Sequence, residues 1–164
     1  MREFVRFAAS FLSVVLAVSA FAADLRPARD PYLIDRTFPA TAKVRLVNVW
    51  ATWCNPCVAE MADLRAIRAQ FGKELGITGV SIDDMIPDTK PEKVEAFLDK
   101  HNIAYPNVYY TGNPETLGSY YDFNGAIPLT ILFDAEGREL WRKRGTIERE
   151  ETVAKIRELL RRKK

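Results

Sequence analysis

The chain has 164 residues, 48% of them hydrophobic and 28% charged, with 8 Gly and 9 Pro. That is the length and composition of one globular domain, which excludes a disordered, collagen-like or many-span membrane protein, and a domain of this size folds without a metal or disulfide staple. A formal net charge of +2, from 24 Lys and Arg against 22 Asp and Glu, is too small to argue for nucleic acid as a partner.

Arg2 and Arg6 introduce an uncharged run of 17 residues, Phe7 to Ala23, which Asp24 ends. A basic start, an apolar core and Ala20-Phe21-Ala22 predict a secretory signal peptide over residues 1–22 with an A-x-A cleavage site. A run of this length also sits at the low edge of what spans a bilayer, so the alternative is an uncleaved N-terminal anchor, with membrane association through residues 7–23. Either way the rest of the chain is expected outside the cytoplasm, in the periplasm. Residues 23–40, rich in Pro and Arg, predict an irregular N-terminal arm, and residues 41–164 the folded domain.

Val44 to Trp50 is a short, mostly apolar run that predicts a buried strand. From Pro56 the period changes to helical, with Val58, Met61, Leu64, Ile67 and Phe71 on one face and Gly72 near the stop. Ile77 to Ile82 predicts a second strand, followed by a loop from Asp83 to Asp88. Thr89 and Glu92 have the spacing of a capping box and predict the start of a helix carrying Val94, Phe97 and Leu98. His101, the sole histidine, falls on that apolar face as a helix-terminal or packing residue.

A strand around Ile103 to Tyr110 and a short helix over Pro114 to Tyr121 come next. Leu129 to Phe133 and Glu139 to Arg144 flank Asp134-Ala135-Glu136-Gly137, a hairpin signal. A last helix begins near Glu148, with Val153, Ile156 and Leu160 on one side. The alternation followed by a hairpin predicts a mixed sheet with helices on both faces, an α/β three-layer sandwich. Residues 138–164 hold 11 basic and 5 acidic side chains, whereas residues 23–137 hold 11 basic and 16 acidic. The basic end, Arg161-Arg162-Lys163-Lys164, complements a helix dipole, and anionic lipid is its functional alternative.

Trp53-Cys54-Asn55-Pro56-Cys57 lies where the first strand passes into the first helix. Residues three apart in a first helical turn bring their Cα atoms within disulfide range. Cys54 would meet the unpaired N–H groups of the helix N-terminus, which favour a thiolate, while Cys57 lies inside the turn. That asymmetry makes Cys54 the attacking thiol and Cys57 the resolving one. A purely structural bridge closing so short a loop removes little entropy from the unfolded chain. Zinc would need four ligands, and the chain offers two cysteines and one histidine. Copper(I) between two thiolates is the remaining metal reading, so no metal or other cofactor is expected beyond the cysteine pair itself.

The segment Leu46-Val47-Asn48-Val49-Trp50-Ala51-Thr52-Trp53-Cys54-Asn55-Pro56-Cys57-Val58-Ala59-Glu60-Met61 resembles the active-site segment of thioredoxin-like proteins. It is most similar to the TlpA-like branch of exported thiol-disulfide oxidoreductases, the TlpA, ResA and DsbE type. Gly125-Ala126-Ile127-Pro128 and the following Leu129 to Gly137 resemble that family's cis-proline strand and hairpin, and the similarity covers roughly residues 40–162. The resemblance implies a thioredoxin-like fold and a cis peptide between Ile127 and Pro128 facing Cys54. It also implies a client-contact surface from Trp53, Ile127 and Pro128, with Trp50 packed beneath.

Two departures from plain thioredoxin bear on mechanism. Asn48 stands where thioredoxin carries a buried aspartate, and an amide cannot accept the thiol proton. The TlpA-like branch instead carries a glutamate three residues after the second cysteine, here Glu60, which the resemblance implies as a proton partner for Cys57; a helix-surface carboxylate is the bland alternative. The 74 residues separating Cys54 from Pro128 leave room for the extra segment of this branch.

Asn55 and Pro56 bring no cation between the cysteines, and Glu60 adds negative charge, which raises a thiol pKa. Those features point to a reductant of protein disulfides rather than a strong oxidant. The resemblance implies an apocytochrome c as a frequent client and a membrane thiol-disulfide electron donor. A thiol oxidase or isomerase is the main alternative, ahead of a copper(I) metallochaperone and a redox-silent binding module.

Overall fold

A computed structural model of the chain describes residues 23–161. The expected leader over 1–22 and the last basic residues, 162–164, lie outside the described residues. A six-stranded sheet runs through the middle, built from β1 (Leu25–Ala28), β2 (Val44–Trp50), β3 (Leu75–Ser81), β4 (Asn107–Tyr110), β5 (Leu129–Asp134) and β6 (Glu139–Arg144), in the order β1-β4-β3-β2-β5-β6. The first four in that order are parallel, and β5 and β6 pair antiparallel. The helices are α1 (Asn55–Phe71), α2 (Pro91–Lys100), α3 (Pro114–Tyr121) and α4 (Arg149–Arg161).

β2 and β3 are buried along almost their whole length, as expected of parallel strands covered on both faces. Alternation along β2 decides what each face meets. Asn48 and Trp50 point toward α1 and α2, where Asn48 reaches Glu60 and Trp50 stacks on Phe97 at 5.6 Å. On the opposite face Thr78, the register partner of Val47, meets Thr37 of a 3-10 helix at 2.6 Å. α3 shares this second face, its Tyr120 hydroxyl donating to Asp35. The three-layer α/β sandwich expected from the sequence is the architecture observed.

Trp50 is anchored by its indole N–H, which donates to Asn107 Oδ1 at 3.1 Å. Gly79 makes this contact possible, because a Cβ there would lie 2.8 Å from the indole nitrogen and closer still to Asn107 Oδ1. A Gly79→Ala variant is therefore expected to lose roughly 2 kcal/mol or more of stability by chemical denaturation, with a change in Trp50 fluorescence. A loss below about 0.5 kcal/mol would show that the packing under the site yields.

Three local expectations are corrected. Residues 23–40 are not an irregular arm: Leu25–Ala28 forms edge strand β1, paired with β4 through bonds such as Asn107 N–H to Asp24 O at 2.7 Å, and Pro31–Thr37 is a 3-10 helix. Pro27 misled because its missing N–H argues against a central strand, but an edge strand tolerates it. The ordered domain accordingly begins before residue 41. The capping box of Thr89 and Glu92 does not form, since Pro91 opens α2 and holds Lys90 extended at the cap with no side-chain hydrogen bond. The fourth strand is confined to Asn107–Tyr110 and starts after Pro106.

Candidate active site

The site lies at the carboxyl ends of β2 and β3, where the chain leaves β2 at Trp50 and turns into α1. Cys54 is the N-cap of α1, in extended conformation, and its sulfur accepts from the Cys57 backbone N–H at 3.3 Å. Pro56 sits in the first turn, where its missing N–H costs the helix nothing. Cys54 and Cys57 are joined as a disulfide with Cα atoms 5.3 Å apart. Cys57 is sealed in the interior at 0% exposure and Cys54 retains 6%. Trp53, immediately before Cys54, is 49% exposed.

The peptide between Ile127 and Pro128 is cis. Because Leu129 pairs with Val49, Pro128 is carried to the same end of the sheet as the Trp50–Cys54 turn. A cleft of about 540 Å³ beside this loop is lined by Met85, Gly118, Phe123, Asn124 and Gly125. Ile86, on the neighbouring loop, is a large apolar side chain left exposed.

Glu60 is buried at 1% exposure. Its Oε1 accepts from Asn48 Nδ2 at 2.8 Å and its Oε2 from the Ile147 backbone N–H at 2.9 Å. Burial, partly opposed by these two hydrogen bonds and reinforced by the charge of Asp63, raises its pKa to about 7. The helix-surface alternative for Glu60 is therefore excluded. In the structure Glu60 shares a buried stripe of α1 with Cys57, Met61, Leu64 and Ile67. A carboxyl that exchanges its proton near neutrality, one helical turn from Cys57, is chemically suited to take a proton from a thiol. Asn48, read from sequence only as a missing base, is instead the donor that holds this carboxyl.

Asp83, expected to open a loop, begins a 3-10 helical turn instead and is fully buried. Its carboxylate accepts from the Thr52 N–H at 3.1 Å, from the Thr52 hydroxyl at 2.5 Å and from the Ser81 hydroxyl at 2.7 Å. Asp83 thus ties the end of β3 to the turn two residues before Cys54. His101 caps the end of α2 and lies against Phe97 at 4.3 Å, away from this chemistry. Among the described residues there is no group of three or more His, Cys, Asp or Glu able to hold a metal ion.

Residues 24–160 match the Redoxin family model. The thiol-disulfide oxidoreductase ResA of Oceanobacillus iheyensis is 32% identical over 92 residues, covering 56% of this chain and 44% of the relative. The thiol:disulfide interchange protein HelX of Rhodobacter capsulatus is 33% identical over 119 residues, covering 72% and 61%. The chain spans about half the length of several curated relatives it matches. A thiol-disulfide isomerase from Corynebacterium glutamicum has a similar structure, with a TM-score of 0.65 and 21% identity over 76% of this chain and 85% of that one. The chain belongs to the Redoxin family, with a thioredoxin-like fold and relatives of the ResA type.

Proposed function

We propose that the chain is an exported thiol-disulfide oxidoreductase that reduces disulfides in envelope proteins. The observation that carries this reading is the Cys54–Cys57 pair at the N-terminus of α1, with a carboxyl of near-neutral pKa one turn further along. In the reduced protein the Cys54 thiolate attacks one sulfur of a client disulfide and the other client sulfur leaves as a thiolate. Cys57 then gives its proton to Glu60, and its sulfur attacks Cys54 Sγ. The mixed disulfide breaks, the second client thiolate is released, and the Cys54–Cys57 bond closes. Two electrons have passed to the client, and the proton on Glu60 goes to a client thiolate or to water.

Trp53, Ile127 and Pro128 form the client-contact surface in this scheme, and the cleft between Met85 and Phe123 supports it by offering apolar lining beside the proline loop. Re-reduction requires a dithiol donor, and for an exported protein we place that donor in the membrane. An apocytochrome c is the client this reading favours; export rests on the sequence of residues 1–22. The relatives named for thiol-disulfide exchange support the class of chemistry.

Two measurements test the proposal. A Cys57→Ser variant is expected to accumulate mixed disulfides through Cys54 in envelope extracts, resolved by non-reducing electrophoresis, whereas Cys54→Ser should accumulate none. The absence of any adduct would remove the exchange mechanism. The reduction potential of the pair, titrated against glutathione and dithiothreitol, is expected at roughly −250 mV or lower. A value near roughly −120 mV would reverse the direction and make the protein a disulfide donor.

A further inference from the structure

Asn48 is buried in β2, directly opposite Thr130 of β5. Its Nδ2 group has two hydrogens and uses both, one toward Glu60 Oε1 at 2.8 Å and one toward Thr130 Oγ1 at 3.1 Å. Its Oδ1 is buried with no hydrogen-bond partner. Glu60 Oε2 meanwhile accepts from the Ile147 N–H. Every polar contact of the carboxyl is thus a donor aimed at it, the arrangement a carboxylate requires.

A proton arriving on the Oε1 lone pair that faces Nδ2 breaks that arrangement, for two donors then face each other at 2.8 Å. The unused acceptor is at hand on the other side of the same amide. Turning the amide over about its soft, roughly two-fold final torsion exchanges Oδ1 and Nδ2 without moving the backbone. Oδ1 then receives the new O–H of Glu60, and its second lone pair receives the Thr130 hydroxyl, a rotor that can accept or donate. Each orientation leaves one amide atom unpaired, Oδ1 in the first and Nδ2 in the second. What the proton changes is the group facing the amide, an acceptor on Oε1 before and a donor after, and that decides between them.

We propose, resting on the reading of Glu60 as proton acceptor for Cys57, that Asn48 is a positioning residue whose amide turns over with that proton, donating to the carboxylate and accepting from the acid, with the Thr130 hydroxyl reversing alongside it. An aspartate here could not donate, and an aliphatic side chain would serve neither form. The arrangement lets one buried site hold both protonation states of the carboxyl, as a group that takes up and releases a proton in every turnover requires. The groups acting on Glu60 are Asp63 from its own helix, Asn48 from β2, the Ile147 N–H from the segment before α4, and Tyr105 from the loop before β4. Tyr105 stays uncharged because burial and the Glu60 charge both raise its pKa, so Asp63 is the formal charge that acts on the carboxyl.

The test uses the reduced full-length protein and reads Glu60 directly by infrared spectroscopy, its carboxylic band identified by its loss in Glu60→Gln. Asn48→Leu removes support from both forms, so the Glu60 proton affinity is expected to change by less than about threefold. Asn48→Asp pairs only with the acid, so the affinity is expected to rise by about tenfold or more. Glu60→Gln imitates the acid, and NMR of this variant with labelled asparagine is expected to show the Asn48 Nδ2 protons turned away from Thr130, where the wild type at high pH keeps them close. A rise of about tenfold in Asn48→Leu would mark Asn48 as a fixed donor and overturn the proposal. Unchanged Nδ2 contacts in Glu60→Gln would overturn it equally, with no need for the Asn48 variants to fold. An exchange rate that ignores the Glu60 midpoint while the amide still turns over would sink the proton role of Glu60, and with it the catalytic use of the amide, while the coupling of amide orientation to the Glu60 proton would stand.

Discussion

Replacing Glu60 by Gln is expected to stabilise the protein at alkaline pH relative to wild type and to slow the closing of the mixed disulfide. In the unfolded chain the carboxyl loses its proton near 4.5, and in the folded protein near 7, because burial disfavours the charge. Between those values the unfolded state binds fewer protons than the folded one, so wild-type stability falls as pH rises through the window. The contribution is fully present below about 4.5 and lost above about 7. A shift of this size corresponds to roughly 3 kcal/mol. The difference in unfolding free energy between Glu60→Gln and wild type, from denaturant titrations at a series of pH values, should therefore grow by about that amount from pH 4 to pH 8.5. A difference independent of pH would show that Glu60 does not titrate with a raised pKa. Kinetically, the variant should form the mixed disulfide through Cys54 at a near-normal rate. Resolution by Cys57 should be slower by roughly 100-fold or more in rapid-mixing experiments near pH 7, the loss typical of removing a positioned base. Resolution at the wild-type rate across pH would remove the proton role.

Substitution of Asp83 by Ala has the second large expected effect. It would leave the Thr52 N–H, the Thr52 hydroxyl and the Ser81 hydroxyl without their acceptor at a fully buried position. Unsatisfied buried donors cost about 1–3 kcal/mol each, and hydroxyl rotation recovers part of that, so a loss of about 3 kcal/mol is expected. Because Thr52 precedes Trp53 and Cys54, the turn that presents the attacking thiol should loosen. Trp53 fluorescence should shift and the Cys54 exchange rate should fall about tenfold. Asp83→Asn keeps one acceptor for Thr52 and offers an N–H to the Ser81 oxygen, so it should restore most of the stability and the Trp53 signal. If Asp83→Ala unfolds at the wild-type denaturant midpoint, the clamp on the active-site turn is not what holds it.

The strand–turn–helix around Cys54 and Cys57, the centre of the helical stripe of α1 at Met61, Leu64 and Ile67 (though not its start at Val58), the hairpin of β5 and β6 and the end position of His101 were legible in the sequence. Each is local: the period of apolar residues reports which side of an element is buried, and the placement of Pro56 and Gly72 reports where a helix begins and ends. The same local signals failed at β1, where Pro27 reads as a strand breaker until its position at the sheet edge is known, and at Thr89, where Pro91 took the first helical position. Glu60 lay between the two cases. Its spacing from Cys57 was visible, but neither its burial nor the groups that receive it were, since Ile147 is 87 residues away in the chain. Asp83 in an expected loop and Asn48 in an apolar strand carry no local mark of what they hold. Only the sheet register, which sets Asn48 opposite Thr130 and Trp50 opposite Ser81, brings the buried amide to the carboxyl and Asp83 to the active-site turn. A hydrogen bond between distant segments depends on where the whole chain puts its two ends, so this polar network under the disulfide was decided by the tertiary structure alone.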